Sequence, residues 1–358
     1  MQVMRWLGTR GTAVRKLQLS VRKANTWPLG AAKLLALMPN LESLAVRDKS
    51  GRVFRPADDL KSLRRLSSLQ TLSLHFGPRE VAFSQRTTSR KLHHLTSLKS
   101  LTLEVHTYNP DASFRLSRHL TDLTCLTHLD VSCNTSNNVP RLVPRLTSLR
   151  NLSLTYYMDN LPASFANLYQ LQSLDLAILF NKHGPAFSLP DAFSTCQELS
   201  HLRLDGLPRA TLGEWPHFCE SLLRLPSLRS LHIEDVDLSC LENQGWCFPS
   251  QLQSLVLSEC SLETYPAALC SLASLTSLDL CMNYLTRLPA GPYLARLHTL
   301  DISSNESLTK FRCLAAATSL RTLVLGKVNP VDSRDVAAVL PPTCSIDLME
   351  DEYDDEDE

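Results

Sequence analysis

The hexamer Leu-x-x-Leu-x-Leu, returning at nearly fixed intervals, constrains this chain more than any other feature. Its clearest copy is Leu275, Leu278 and Leu280, closed by Asn283, and the phrase restarts as Leu297, Leu300, Ile302 and Asn305. A restart after 22 residues is neither a helix period nor a strand alternation; it is the period of a stacked supersecondary unit. The leading residue recurs as Val14, Leu41, Leu69, Leu98, Leu126, Leu149, Leu171, Leu199, Leu228, Leu252, Leu275, Leu297 and Leu320. The intervals are 27 to 29 residues in the long units and 22 to 24 in the short ones. A degenerate last copy ends at Ile346-Asp347-Leu348.

One hexamer could arise by chance; thirteen in near-register could not. On these residues the chain resembles a leucine-rich-repeat protein of the intracellular type from about residue 14 to 348. The resemblance implies an α/β solenoid with a concave parallel β-sheet and short helices or loops on the convex side. The physics agrees with it. Each hexamer suits a short strand, successive strands pair in parallel about 4.8 Å apart, and the inward leucines build one layer of core per repeat. A return segment wider than a strand makes such a stack bend, with the strands on the inside.

Three segments follow: an N-terminal edge or partial cap at 1–13, the repeats at 14–348, and an acidic tail at 349–358. The tail is too charged to pack and is expected to be disordered. So little precedes the first repeat that truncation, or a partner over that end, is expected. In the short repeats an outer segment such as 161–168, apolar at i, i+4 and i+7, predicts a turn of helix outside the core. Residues 58–66 and 331–340 read as longer helices.

A polar residue just past the strand must find backbone partners, because buried polar groups need them. Asn134, Asn283 and Asn305 hold that position, and Cys260 stands there in its own repeat. Packing and a weak hydrogen bond are the expected roles of Cys260.

Net charge is zero and the pI about 7.1, so bulk charge points to neither nucleic acid nor membrane. No run of 18 apolar residues occurs. The eleven cysteines are scattered without a C-x-x-C pair. They read as reduced thiols of an intracellular, cytoplasmic protein, with nucleus, cytoskeleton and cilium left open. Phosphate-binding loops, zinc-protease, nucleophile-elbow and kinase motifs are all lacking. No catalytic residue, metal, cofactor or small-molecule substrate is therefore expected.

What the pattern leaves exposed is the concave face, where the residues between the leucines point outward. The third position is mostly Ser or Thr, and the later positions carry more acid than base. The second position carries Lys99, Arg150, Arg229 and Arg321 against Glu42. The candidate docking residues are His75, Phe76, Glu104, His106, Asp130, Tyr156, Asp175, Arg203, Asp205, His232, Glu234, Asp279 and Asp301. They predict an acidic strip beside a basic rim, steering a protein partner with a basic patch. The expected function is a non-catalytic scaffold.

Two rival readings stay open and a third is disfavoured. A GTPase-activating protein resembling the Ran activator would share the 28- and 29-residue repeats and the acidic tail. The substrate-recognition part of a ubiquitin ligase, with its adaptor box missing, would explain the bare N-terminal edge. A receptor-like kinase ectodomain is the disfavoured one, since it would call for a signal segment, cap cysteines and a membrane span that this sequence does not show.

Overall fold

The computed structural model describes residues 9–21, 35–48, 63–76, 92, 94–105, 116, 118–133, 139–156, 163–178, 194–206, 215–239, 247–326 and 336–348. The chain divides into two compact units, Met1–Leu179 and Phe180–Glu358.

The first unit holds β1 (Lys16–Val21), β2 (Ser43–Asp48), β3 (Thr71–Phe76), β4 (Ser100–Val105), β5 (His128–Cys133), β6 (Asn151–Tyr156) and β7 (Ser173–Ile178). Each is parallel to the next in chain order. The second holds β8 (His201–Asp205), β9 (Ser230–Glu234), β10 (Ser254–Ser258), β11 (Ser277–Asp279), β12 (Thr299–Asp301), β13 (Thr322–Val324) and β14 (Ser345–Asp347), again parallel in chain order. Hexamer meets hexamer without a slip: Leu72 pairs Leu101, Leu101 pairs Leu129, and Leu255 pairs Leu278. The reason is burial, since a one-residue slip would turn every leucine of a strand out of the core. A backbone device reinforces it. The carbonyl of Arg150 accepts both Gln172 N–H (2.7 Å) and Ser173 N–H (3.0 Å), and this forked bond recurs at strand starts in both units.

From β2 to β13 both leucine positions of each strand are buried. The terminal strands differ: Leu17, Leu19 and Ile346 are half-buried and Leu348 is exposed. A layer with a neighbour on one side has less to pack against.

Many of the return segments use 3-10 turns. Leu168 N–H donates to Phe165 O and Leu171 N–H to Leu168 O, both at 3.0 Å. Leu63, Leu66 and Leu69 repeat the arrangement, as do Leu269, Leu272 and Leu275. Three residues per turn set apolar side chains at i, i+3 and i+6 in one line, and each of these is buried. Two α-helices are described from end to end, α1 (Val139–Leu142) and α2 (Trp215–Leu223); Thr9, Arg10, Leu35, Leu63, Val336 and Ala337 are α-helical as well. Of the helix expected at 58–66, residues 63–66 are described: Leu63 is helical, and a turn follows, closed by Leu66 N–H on Leu63 O at 2.8 Å. Of that expected at 331–340, residues 336–340 are described, with a turn closed by Val339 N–H on Val336 O at 3.1 Å. The tail at 349–358 lies outside the described residues. No helix among them is long and apolar enough to cross a membrane.

Candidate functional site

Two different uses of polar residues meet at the strands: one sits just past them and holds the repeats together, the other lines their exposed face. Asn283 shows the first. Its Nδ2 donates to the carbonyls of Leu257 (2.7 Å), Leu280 and Cys281 (both 3.0 Å), and its Oδ1 accepts the amides of Cys260 (3.1 Å) and Leu262 (3.0 Å). Asn305 repeats this one unit later, accepting Leu285 N–H and donating to Leu280, Ile302 and Ser303 O. Cys260 imitates the donor half. Its Sγ–H faces Ser258 O at 3.2 Å and Ile233 O at 3.5 Å, and burial pushes the thiol up to about 12. Asn305 is fully buried. Asn134 lies outside the described residues.

On the exposed face of the first unit, the row between the buried leucines reads Ser73, Thr102, Asp130, Ser153, Asp175 from β3 to β7. The next outward-facing row holds Arg47, His75 and Glu104. His75 Nδ1 is hydrogen-bonded to Glu104, and its Nε2 lies 2.7 Å from Ser73 Oγ. Sequence reasoning singled out His75 and Glu104 but not Ser73. The signal was available: a Ser two residues before a His on one strand, with an acid in register on the next. Such a chain resembles a hydroxyl–imidazole–carboxylate relay. Its work on a carbonyl would need N–H donors for the oxyanion, and the amides of β3 pair with β2 and β4.

Beside it lies a hollow of about 310 Å³ walled by β4 to β7, its lining including Ser100, Thr102, His128, Asp130, Asn151, Ser153, Ser173 and Asp175. Burial pushes the Asp130 carboxyl up. Asp175 and Glu104 add to that, while the hydrogen bond to Ser153 and the nearby His75 oppose it.

In the second unit, Arg203 Nη2 donates to Glu234 Oε2 at 2.8 Å and lies 3.4 Å from Asp205 Oδ2. His232 Nε2 is 2.8 Å from the same Glu234 oxygen. Asp205 is nevertheless raised, first by burial and then by Glu234. Asp279 Oδ1 accepts Cys281 N–H at 2.9 Å, and Asp301 Oδ1 accepts both Ser303 N–H (2.9 Å) and Ser303 Oγ–H (2.6 Å). Asp279, Cys281 and Asp301 each bring a potential metal ligand within 4.8 Å of the others. Burial, followed by Asp279, holds the Cys281 thiol far above its usual range, which favours the protonated form over a thiolate ligand.

Phe76 and Tyr156 end β3 and β6, and His106 lies outside the described residues. Lys99, Arg150 and Arg321 are exposed at the strand starts and Arg229 is half-buried. In each unit the structure therefore brings acids into rows on the exposed face, and in the second unit it neutralises two of them with the chain's own arginine.

Comparison with known proteins matches this architecture. Residues 84–331 fit the model of a leucine-rich repeat region. Podocan-like protein 1 of Homo sapiens is 28% identical over 232 residues, which is 64% of this chain and 37% of that protein. Receptor-like protein EIX1 of Solanum lycopersicum is 28% identical over 211 residues, 55% of this chain and 20% of that one. The chain thus spans well under half the length of these relatives. Among solved structures, an internalin (inlF) from Listeria monocytogenes superposes with a TM-score of 0.58 at 19% identity. That match covers 96% of this chain and 89% of the internalin, and at such identity it speaks for the fold alone. Because the matched model runs over more than half of the residues, and the strands it spans carry the hexamers in register, this chain belongs to the leucine-rich-repeat family.

Proposed function

We propose that this chain is a non-catalytic scaffold that binds a partner protein through the exposed face of its strands, and that the partner presents a basic patch. One observation carries the reading. The carboxyls of Asp130, Asp205 and Asp301 sit half-buried on a rigid parallel sheet, and burial together with neighbouring acids raises all three. Like charges held together out of water cost stability, and a cationic partner removes that cost on docking. Charge of one sign on a preformed surface also speeds encounter with the opposite sign. A parallel sheet is normally covered on both faces, so an exposed one is consistent with a face kept open for a partner.

An intracellular, cytoplasmic setting is part of the same proposal, resting on the scatter of the eleven cysteines along the sequence, which suits thiols kept reduced.

The reading is tested with two charge-reversal variants, D130K/D175K in the first unit and D205K/E234K in the second. In-cell crosslinking followed by mass spectrometry compares each with the unaltered chain. At least one variant is expected to lose a defined partner that the other variant and the unaltered chain share. An identical crosslinked set for all three would end the reading.

A further inference from the structure

We propose that a second copy of this chain docks end to end on the first, its β1 laid in parallel along the outer edge of β14. The contact lies at the edges of the sheet, apart from the face assigned to a partner above, and each copy keeps one edge for the next.

Both edges suit a further strand. Among the described residues β1 pairs only with β2, and β14 only with β13. Ser345 N–H donates to Arg321 O at 2.8 Å, and Asp347 O accepts Leu325 N–H at 2.9 Å. Backbone groups alternate sides along a strand, so Ile346 turns its N–H and C=O away from β13. On β1 the Arg15 carbonyl accepts Glu42 and Ser43 N–H, and the same alternation turns Lys16, Gln18 and Ser20 away from β2. Such a row of backbone groups is a template for another strand. The packing is unfinished in the same places. Leu17, Leu19 and Ile346 are half-buried and Leu348 is 55% exposed, whereas these positions are buried from β2 to β13. Ile346 pairs Leu323 and Leu17 pairs Leu44. Continuing that register sets Ile346 against Leu17 of the second copy and Leu348 against its Leu19. One more layer of core closes there.

Charge selects a copy of this chain over an unrelated strand. Residues 1–41 carry seven Lys or Arg and no acid, and residues 345–358 carry nine Asp or Glu and no base. The molecule as a whole is neutral, so its two ends are opposite in sign and close in size. Unlike ends attract, and two like ends repel, which disfavours a two-fold contact of β14 with β14. In the register above, Lys16 of the second copy lies one diagonal from Asp347 on the same face, and both residues are exposed. A lysine side chain spans that diagonal. A head-to-tail contact of this kind does not close as a dimer, so copies add in a row or a ring.

The test follows the mass of the full chain by sedimentation equilibrium over a range of concentrations and salt strengths. The weight-average mass is expected to rise from the 40.0 kDa monomer past the dimer. A dissociation constant on the order of 10–100 μM is expected, since the end of a stack is a small interface. High salt should lower the mass. Two variants each spoil one edge. Q18P removes an outward donor and keeps the bonds to β2, and L348K puts a charge into the new layer. Each alone should stay monomeric up to ~200 μM while melting as a folded protein. Mixed in equal amounts they should form a dimer and nothing larger, because each keeps the edge that the other lacks. K16E replaces Q18P if that variant does not fold. A mass of 40.0 kDa at every concentration, a mass that levels off at the dimer in the unaltered chain, or a mixture that stays monomeric would each overturn the proposal. None of these substitutions touches Asp130, Asp175, Asp205 or Glu234, so this contact and the docking face fail separately.

Discussion

Asn283 and Cys260 occupy the same place in adjacent repeats, and the first holds the second: Asn283 Oδ1 accepts the Cys260 amide at 3.1 Å. Asn283 also bonds four further backbone groups, whereas Cys260 offers a weak sulfur donor to two carbonyls. The two positions look alike in sequence and are unequal in energy.

N283A is therefore expected to be much the more damaging change. It strands several buried amides and carbonyls, each costing about 1–3 kcal/mol when unmet. Some of them recover by local relaxation, so a loss of about 3–5 kcal/mol is expected from urea unfolding. C260A removes a weak donor and opens a small gap, for about 1–2 kcal/mol. Equal losses in the two variants would contradict the ladder as described.

Thiol chemistry separates the cysteines kinetically. Cys260 is fully buried with its thiol pushed up to about 12, and Cys196 and Cys219 are buried with theirs at about 11, in each case chiefly by burial. The thiolate is the reactive species. Brief iodoacetamide treatment near pH 8 is expected to label the exposed Cys125 and Cys247 within minutes. The buried three should remain unlabelled until denaturant is added. Mass spectrometry of the peptides reads the result, and prompt labelling of Cys260 would show that its repeat opens in the native state.

The strands were legible because one physical requirement repeats thirteen times: Leu-x-x-Leu-x-Leu buries on one face at a period of two. The register came with it, since Leu44 to Leu72 to Leu101 is the one alignment that buries every leucine. The outer turns were less legible. Phe165, Leu168 and Leu171 lie at i, i+3 and i+6, yet starting the count at Leu161 gives i, i+4 and i+7, so α- and 3-10-helical readings share the same residues. On the exposed face, acidity could be read residue by residue but pairing could not. Whether Arg203 is a free cation or is spent on Glu234 and Asp205 depends on rotamers that no spacing encodes. Ser73 escaped notice because serine on a strand face is the bland choice everywhere in this chain; what distinguishes it is His75 two residues on.

The residue before the ladder position recurs in the left-handed region. Gly206, Asp235, Glu259, Met282 and Ser304 have φ of 63°, 50°, 53°, 54° and 53°. For a residue with a Cβ this conformation costs roughly 1–2 kcal/mol, less for asparagine, whose side chain can bond locally. Met282 is exposed, with 53% of its surface open, so little packing is lost on replacing it. M282N is expected to stabilise by about 1 kcal/mol, and M282G by somewhat less because glycine is freer when unfolded. Conversely, G206V should cost about 2 kcal/mol. Chemical denaturation of the three variants checks the order; a destabilised M282N would mean that the methionine side chain is held in a contact that matters.

The half-buried acids give a pH dependence whose sign follows from the direction of their shifts. Asp130 is raised in the folded state by burial, Asp175 and Glu104, against the opposing Ser153 and His75. Between the ordinary aspartate value and the raised one, the folded chain binds more protons than the unfolded chain. Stability from this group therefore falls as pH climbs through that window, and the cost persists above it. D130N keeps the shape, can still hydrogen-bond Ser153 and removes the charge. Its stability relative to the unaltered chain is expected to rise from about pH 4 upward and level off toward neutrality. Comparing the two at each pH cancels the other carboxylates that titrate in the same range. Thermal melts from pH 4 to 8 read the difference. A gap that widens toward acid instead would mean that Asp130 is held by a cation in the folded chain.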